Sequence, residues 1–353
     1  MFPITSQGIG VFALDPVGKR EVVLSVPFRL CISVESIMVS HLKVIFEDNP
    51  DLLQYPDEVM AIAIMNAIDD PTSTWYSHVQ TMPDSFNTPL FWSATDVEYL
   101  KGSIVYHLVG MMRKRMTADW ESIHEPISRN YPQFLGSANI DKYMWTMSAI
   151  YSRAVDIIRH SAPARCIPPL IDMGNHNPHD VDDSIESLLY LDKSDTVCIV
   201  NSTEKSRGEE IYVMYGHYPN SKLLYSYGFV VDGNPYRAID LWPRLPSSCV
   251  KAAEKQQLLR SHPLTAEQTF DFKGTIRDKY ISPALLTTVR VISATEEEME
   301  SGIDRAFRGE IISPRNELES YNSLLNLIIA RMQVDNAEVL FRIIIIIITF
   351  LIE

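Results

Sequence analysis

The sequence has few cysteines and no long apolar run, and each shortage excludes a class of protein. Its four cysteines lie far apart and form no C-x-x-C pair, which excludes a disulfide framework and a cysteine zinc site and favours a reducing compartment. No apolar stretch reaches the roughly 20 residues that a membrane-spanning helix needs. The longest begins with Ile343–Ile348, close to the C-terminus. The first residues, Met1–Ile4, place no charged segment before an apolar one, so no signal peptide is predicted.

Basic residues are also in the minority, 31 against 45 acidic residues, which gives a net charge of −14. Such a charge repels phosphate backbones, so we expect no direct nucleic-acid binding and a preference for basic partners. Hydrophobic residues make up 46% and charged residues 22% of the 353 residues, a balance that excludes an intrinsically disordered chain. At roughly 150 residues per domain, the length predicts two domains or one domain with large elaborations.

The chain alternates between strand-like and helix-like patterns. Residues 11–14 and 21–27 flank a turn and predict two short strands. Apolar residues then recur at helical spacing, broken by prolines, from about residue 57 onward, and the last helix predicted in this region is Tyr143–Ile158.

Strand patterns return after Pro163. Residues 187–191 and 196–200 predict a hairpin, and Glu210–Tyr215 predicts a further strand. Beyond Pro235 the chain becomes helical again, with helices predicted at 251–260, 283–292 and 318–332.

Two short motifs point to common sites, but their surroundings do not support them. The segment Gly8-Ile9-Gly10-Val11-Phe12-Ala13 matches the pattern G-x-G-x-x-A, yet a dinucleotide site needs a strand before the glycines and a helix after them, and neither is predicted. His176 and His179 lie near aspartates, but Pro178 prevents a shared helical face, so an acidic surface loop is favoured over a metal site. The G-x-S-x-G, Walker A and H-E-x-x-H motifs are absent.

A third set of motifs is informative because its members occur in one order. Pro168-Pro169-Leu170-Ile171-Asp172-Met173-Gly174-Asn175-His176 is followed by Gly208-Glu209-Glu210, then by Tyr215-Gly216 and Tyr227-Gly228-Phe229. Before them come Gly8–Ala13, Trp75–Trp92, Trp145 and Ser152-Arg153-Ala154. Together these residues resemble the SET-domain methyltransferases, in the branch of the Rubisco large-subunit methyltransferase and the actin-histidine methyltransferase.

The resemblance covers about residues 8–232 and implies an α+β fold: a split SET domain of short β-sheets with a pseudoknot, a helical insert, and a mostly helical C-terminal substrate-binding lobe. The expected boundaries are 1–45 for the N-terminal part of the SET domain, 46–142 for the insert, 143–232 for the C-terminal catalytic part and 233–353 for the lobe. No C-x-C cluster follows Phe229, so neither a zinc-binding post-SET segment nor any other metal is expected.

The resemblance also implies S-adenosyl-L-methionine as cofactor. The residues expected to bind it are Gly8, Ile9, Gly10, Arg153, Asn175, His176 and Tyr215. Arg153 suits a carboxylate because a guanidinium is a forked donor, and Asn175 suits an adenine edge. For His176, a cofactor contact and a purely structural packing role both remain open.

Tyr215 is the expected catalytic residue, with its hydroxyl near the methyl group that is transferred. Without the surrounding motif it would be interpreted as a strand-end tyrosine with a hydrogen-bonded hydroxyl. Tyr227 and Phe229 are expected to line the acceptor channel, because aromatic walls surround an alkyl stem and bind a cation through their π faces. Asp172 either orients Arg153 or a main-chain amide, or caps its own loop.

Val155 and Ile171 bear on the acceptor. In the actin-histidine branch these positions hold an asparagine and a tryptophan, whereas neither side chain here can hydrogen-bond an imidazole. The resemblance therefore implies a protein-lysine N-methyltransferase acting on a histone or non-histone protein. Its expected substrate-binding residues are Val155, Ile171, Asp172, Tyr227 and Phe229. The alternatives are an actin-type protein-histidine methyltransferase and a catalytically inactive SET-domain binding protein.

We expect a monomer in the cytoplasm or nucleus, with an organelle left open, that binds a lysine-containing protein segment and no membrane. Two features depart from the family. Only seven residues precede Gly8, where relatives carry a further helical segment, and the run Ile343–Ile348 is unusual for a closing amphipathic helix.

Overall fold

The structure is a computed structural model that describes residues 4–5, 8–236, 238–241, 243, 245–261, 270–273 and 281–332. Contacts between residues divide the chain into two units. Unit 1 comprises Met1–Val97 and His107–Pro235, and unit 2 comprises Glu98–Tyr106 and Tyr236–Glu353. The boundaries expected at residues 45, 142 and 232 stay predictions.

Short antiparallel strands form the sheets of unit 1. They are β1 (Ile4–Thr5), β2 (Gly8–Ile9), β3 (Val11–Phe12), β4 (Val22–Pro27), β5 (Ile32–Ser33), β6 (Val155–Arg159), β7 (Ala162–Ile167), β8 (Leu188–Leu191), β9 (Thr196–Val200) and β10 (Glu210–Ile211). The sheet orders are β4-β9-β8, β5-β7-β6, β10-β3 and β1-β2. The pairing of β8 with β9 confirms the predicted hairpin.

The strand predicted at Glu210–Tyr215 was wrong beyond Ile211. The next backbone amides leave the sheet and bond elsewhere: that of Val213 donates to the Asn175 carbonyl at 2.9 Å, and that of Met214 to Ser187 Oγ at 2.8 Å. Alternating apolar residues alone do not reveal this, because they are compatible with any extended segment.

The helices of the insert pack around one buried helix. The helices up to residue 227 are α1 (Val34–Met38), α2 (Lys43–Asp48), α3 (Pro56–Asp69), α4 (Tyr76–Val79), α5 (Ala94–Glu98), α6 (Ile104–Asp119), α7 (Glu125–Asn130), α8 (Pro132–Leu135), α9 (Ile140–Arg153) and α10 (Asn220–Tyr227). Every residue of α3 from Glu58 to Ala67 is buried, so α3 is a core helix rather than a surface one. Proline at its first position suits a helix start because no amide is needed there.

Helix α9 carries Arg153 as its last residue. It begins after Asn139, whose side chain accepts a hydrogen bond from the Lys142 amide at 2.9 Å, and ends at Arg153. The predicted helix Tyr143–Ile158 was therefore wrong over its last residues. These form β6, in which Val155 pairs with Cys166 of β7. The β-branched residues of this segment favour a strand once a partner strand is available.

A buried polar cluster joins α3 to α9. Glu58 Oε2 accepts hydrogen bonds from His124 Nε2 at 2.7 Å and from the Tyr143 hydroxyl at 3.0 Å. His124 ends the π-helical turn Trp120–His124, and its side chain is fully buried. Burial and the charge of Glu58 raise the pKa of Tyr143, so its hydroxyl remains a donor. The cluster therefore links α3 to the first turn of α9, ten residues before Arg153.

Unit 2 has its own buried core. Its elements after residue 235 are β11 (Ala238–Leu241), α11 (Ala252–Ser261), β12 (Phe270–Lys273), α12 (Pro283–Ser293), α13 (Glu296–Ser301), α14 (Ile303–Phe307) and α15 (Pro314–Met332). Leu285, Val289, Leu324 and Ile328 belong to one buried cluster. The three helices predicted here are confirmed, although α15 begins four residues before Leu318. The run Ile343–Ile348 lies outside the described residues.

Across the part of the chain that the structure describes, no helix has both the length and the apolar content needed to cross a bilayer.

Candidate functional site

Tyr215 lies where three segments of unit 1 meet. Its hydroxyl donates to the Gly174 carbonyl at 2.9 Å, and its backbone amide donates to His176 Nδ1 at 3.3 Å. Burial raises the pKa of Tyr215 to about 12, with smaller influences from Arg153, Asp172 and Glu210. The hydroxyl is therefore protonated at neutral pH and acts as a donor.

Aromatic rings surround Tyr215, and we call His176, Tyr215, Tyr218, Tyr227 and Phe229 the aromatic cluster. Tyr215 stacks on Tyr227 with ring centroids 4.8 Å apart and on His176 at 5.1 Å. Phe229 meets Tyr215 edge-on at 6.5 Å, and Tyr218 stacks on Tyr227 at 6.2 Å. Burial also raises the pKa of Tyr227. The cluster therefore packs aromatic rings against both faces and the edge of this part of the site, with the Tyr215 ring among them.

The two ring nitrogens of His176 differ in their hydrogen-bond contacts. Its Nδ1 atom lies 3.3 Å from both the Val213 carbonyl and the Tyr215 amide, while its Nε2 atom is buried without a hydrogen-bond partner among the described residues. Burial lowers the pKa of His176, so the ring is neutral near pH 7. These contacts support the packing role, and the unpartnered Nε2 leaves a ligand contact possible.

Asn175 joins the Gly8–Gly10 segment to β10. Its side-chain amide donates to Glu210 Oε1 at 2.7 Å and to the Ile9 carbonyl at 3.3 Å. A Cβ atom added at Gly10 would lie only 2.3 Å from Glu210 Oε1 and 3.1 Å from Asn175 Nδ2. Position 10 therefore has no room for a side chain, which is the close backbone approach that glycine permits.

Arg153 is hydrogen-bonded to Asp172, three residues before Asn175. Its Nη1 atom donates to Asp172 Oδ2 at 2.9 Å and to the Asp172 carbonyl at 3.0 Å. Of the roles left open for Asp172, the geometry matches the orientation of Arg153. Burial alone raises the pKa of Asp172, but hydrogen bonds from His78 and Arg153 and their charges outweigh it, so the pKa is lowered and the side chain is ionised.

The remaining predicted residues differ in exposure. Val155 is half-buried at the start of β6, whereas Ile171 is 2% exposed and belongs to the same buried cluster as Val11 and Val213. Ile9 is 37% exposed. The structure thus brings Gly10, Arg153, Asn175, His176, Tyr215, Tyr227 and Phe229 into one connected neighbourhood, while Ile171 lies in the core beside it.

Sequence reasoning missed the roles of His78 and Glu210. His78 Nε2 lies 3.1 Å from Asp172 Oδ2, although 94 residues separate the two along the chain. Glu210 belongs to the Gly208-Glu209-Glu210 motif but received no role. The sequence offered no signal for His78 beyond its place in the Trp75–Trp92 motif, because spacing alone could not connect it to Asp172.

The family model described as Rubisco LSMT substrate-binding matches residues 250–334. The actin-histidine N-methyltransferases of Homo sapiens and Gallus gallus are each 25% identical, over 87% and 85% of this chain and 52% of the relative. The chain therefore spans about half the length of these curated relatives.

Solved structures decide the fold. The SET domain of LSMT bound to lysine and AdoHcy matches with a TM-score of 0.71 and 17% identity, covering 96% of this chain and 77% of that one. The chain has the SET-domain fold. Rubisco LSMT bound to AdoMet matches this SET-domain chain with a TM-score of 0.68 and 17% identity, covering 95% of it and 76% of the neighbour. The resemblance stated from the motifs, and the α+β fold class, are confirmed.

In the SET domain, the segments that meet at Tyr215 are those that carry the motifs. The Asn175-His176 pair, the residues after β10 and the Tyr227-Gly228-Phe229 turn come from distant parts of the chain, yet their rings and amides contact one another. The order of the motifs along the sequence thus corresponds to one site in space.

Proposed function

We propose that the chain is an S-adenosyl-L-methionine-dependent protein N-methyltransferase whose acceptor is a lysine side chain. The observation that carries the proposal is the hydroxyl of Tyr215, which is held by the Gly174 carbonyl on a ring that stacks against the aromatic cluster. Three of the residues expected to bind cofactor or acceptor, His176, Tyr227 and Phe229, contact Tyr215 directly.

The residues present fit such a cofactor. Arg153 Nε and His176 Nε2 are buried without hydrogen-bond partners among the described residues, and buried polar atoms of this kind usually have partners. A ligand with a carboxylate and a polar aromatic ring would supply both. The absence of a side chain at Gly10 lets Glu210 and Asn175 pack against the Gly8–Gly10 backbone and join it to the Asn175-His176 segment. Arg153 would hold the carboxylate, and the Gly8–Gly10 and Asn175-His176 segments would hold the remainder.

Bound S-adenosylmethionine supplies a methyl group made electrophilic by its sulfonium. The residues of this chain then have to align the acceptor and exclude water, because little covalent chemistry is left to the protein. Tyr215 presents a protonated hydroxyl, held in place by Gly174. Tyr227 and Phe229 give the acceptor an uncharged, poorly solvated surface, which favours the deprotonated amine that transfer requires.

The choice of lysine rests on Val155 and Ile171, because neither offers a hydrogen bond to an imidazole. One finding favours a second candidate: the curated relatives that match are named as actin-histidine methyltransferases. The structural neighbours include LSMT bound to lysine and to methyllysine. Protein-histidine methylation therefore remains the competing function. We further propose, as expected from the sequence, a monomer in the cytoplasm or nucleus that binds neither nucleic acid nor membrane.

Two measurements test the proposal in turn. Isothermal titration calorimetry of the full chain with S-adenosylmethionine should show stoichiometric binding, and its absence would support the binding-protein alternative. Proteome labelling with tritiated cofactor, followed by mapping of the modified residue, should then identify lysine. Transfer to a histidine-containing actin peptide, with none to lysine peptides, would replace lysine by histidine as the acceptor. Tyr215→Phe is the matched control: any labelling that persists in this variant does not depend on the Tyr215 site.

A further inference from the structure

A buried histidine lies behind the Arg153–Asp172 pair. His78, on the short helix α4, has a side chain only 6% exposed, and the Asp172 side chain is completely buried. Both His78 Nε2 and Arg153 Nη1 bond to the same carboxylate oxygen, Oδ2, at 3.1 Å and 2.9 Å. An ionised carboxylate can only accept, so Nε2 of His78 must be the protonated ring nitrogen.

Three further polar atoms of these side chains are buried without a partner among the described residues: Asp172 Oδ1, His78 Nδ1 and Arg153 Nε. The carboxylate is therefore held by only two side-chain donors, one of which is Arg153 itself. If His78 did not donate, the Asp172 carboxylate would keep Arg153 as its one side-chain donor among the described residues. The guanidinium would then be held by this loosened carboxylate and by the Asp172 main-chain carbonyl, which lies 3.0 Å from Nη1.

We propose that His78 is a positioning residue for Arg153: its Nε2–H fixes the Asp172 carboxylate, which in turn orients the guanidinium so that its unpartnered Nε–H faces the ligand. The inference rests on the proposed function, since that ligand is S-adenosylmethionine. It adds that cofactor affinity depends on a residue of the helical insert that contacts neither cofactor nor acceptor.

The chain offers a matched control. His124 is also a buried histidine whose Nε2 bonds to a carboxylate, Glu58 Oε2, at 2.7 Å, but it lies in the core of the insert. His124→Leu and His78→Leu make the same chemical change. Both should lower the melting temperature, and only His78→Leu should affect Arg153.

The first readout needs no cofactor. In the ligand-free full chain labelled with ¹⁵N-arginine, the Arg153 Nε–H resonance is assigned by its loss in Arg153→Lys. We expect a rigid side chain in the wild type, a lower heteronuclear NOE in His78→Leu, and wild-type values in His124→Leu. His78→Gln keeps a side-chain N–H donor and should restore rigidity. An Arg153 signal unchanged by His78→Leu would overturn the proposal.

The second readout is the affinity for S-adenosylmethionine by calorimetry. His78→Leu should weaken it about tenfold, the effect of losing one charge-assisted hydrogen bond at a distance, while His78→Gln stays within about threefold. Equal losses in His78→Leu and His124→Leu would mean a structural role only, contradicting the proposal.

If His78→Leu does not fold, Asp172→Asn is measured in its place and should also make the Arg153 side chain more mobile. Wild-type protein that binds no cofactor would refute the proposed function, while the NMR result would still decide the role of His78.

Discussion

At the residue scale, Tyr215 combines two properties that a methyl-transfer site needs. Its hydroxyl is held by a main-chain carbonyl, and burial raises its pKa to about 12. It therefore orients neighbouring groups as a neutral donor and does not take a proton from the acceptor at neutral pH.

We expect Tyr215→Phe to reduce turnover by about 100-fold or more while cofactor affinity stays within about threefold, because the ring keeps its stacking and loses only the oriented hydroxyl. Single-turnover transfer and calorimetry on the same preparation measure the two effects. A variant with wild-type turnover would remove the catalytic role from this hydroxyl.

The backbone at Gly10 is packed closely against the side chains of Glu210 and Asn175. In Gly10→Ala the added Cβ would press on Glu210 Oε1, which is held by Asn175, so the Asn175 amide has to move. If the overpacking of about 1–3 kcal/mol falls on the bound state, it corresponds to about 5- to 150-fold weaker binding of S-adenosylmethionine, measured by calorimetry. Gly110→Ala is the control, because an added Cβ meets nothing within 4 Å there, and affinity should not change. Equal affinities in both variants would contradict the proposed place of the cofactor.

At the scale of elements, the end of α10 sets the position of Phe229. Gly228 closes the helix with φ of 81°, a left-handed conformation that favours glycine, and an added Cβ would lie 2.7 Å from the Asn87 backbone. Arg113 in turn holds the loop after Asn87 by donating to the carbonyls of Leu90 and Trp92 at 2.8 and 2.7 Å. The turn between Tyr227 and Phe229 is therefore determined by a loop of the insert.

Gly228→Ala should lower the free energy of unfolding by roughly 2–4 kcal/mol, from backbone strain and from the overlap with Asn87 together. Gly233→Ala separates the two causes, because Gly233 also has a positive φ, of 61°, but has nothing within 4 Å of an added Cβ. We expect only about 1 kcal/mol from strain there. Chemical denaturation measures both, and equal losses would mean that the contact with Asn87 contributes nothing.

At the scale of the whole molecule, buried carboxylates limit acid stability. In unit 2, Glu298 lies beside Arg315 and Ser313, and its side chain is 12% exposed. Burial would raise the pKa of Glu298, but hydrogen bonds from Arg315 and Ser313 outweigh it and lower the pKa to about 2. Because the folded pKa lies below the unfolded one, this stabilisation is complete above the unfolded pKa and is lost as pH falls towards 2.

Glu298→Gln should therefore destabilise the protein by about 2–3 kcal/mol at pH 7 and flatten the loss of stability between about pH 5 and pH 2. Denaturant titrations across that range measure the slope. Glu319→Gln, a change at an exposed glutamate, should leave the slope as in the wild type. An unaltered slope in Glu298→Gln would show that its carboxylate is paired equally well in the unfolded chain.

Much of the site could be predicted because its residue types occur in motifs with a fixed order. Arg153, the Asn175-His176 pair, Tyr215 and the Tyr227–Phe229 turn were named from sequence, and the structure brings them together. The Leu188–Leu191 and Thr196–Val200 hairpin was predictable for a similar reason, since its strands and turn are local.

The sequence by itself therefore determined the SET-domain fold class, the order of its segments and the chemistry of the side chains at Tyr215. The tertiary structure decided where α9 ends, because Val155 becomes part of a strand only when β7 pairs with it. It also decided that His78 meets Asp172 and that position 10 has no room for a side chain. These features depend on contacts between residues far apart in the chain, and local propensity is too weak to specify them.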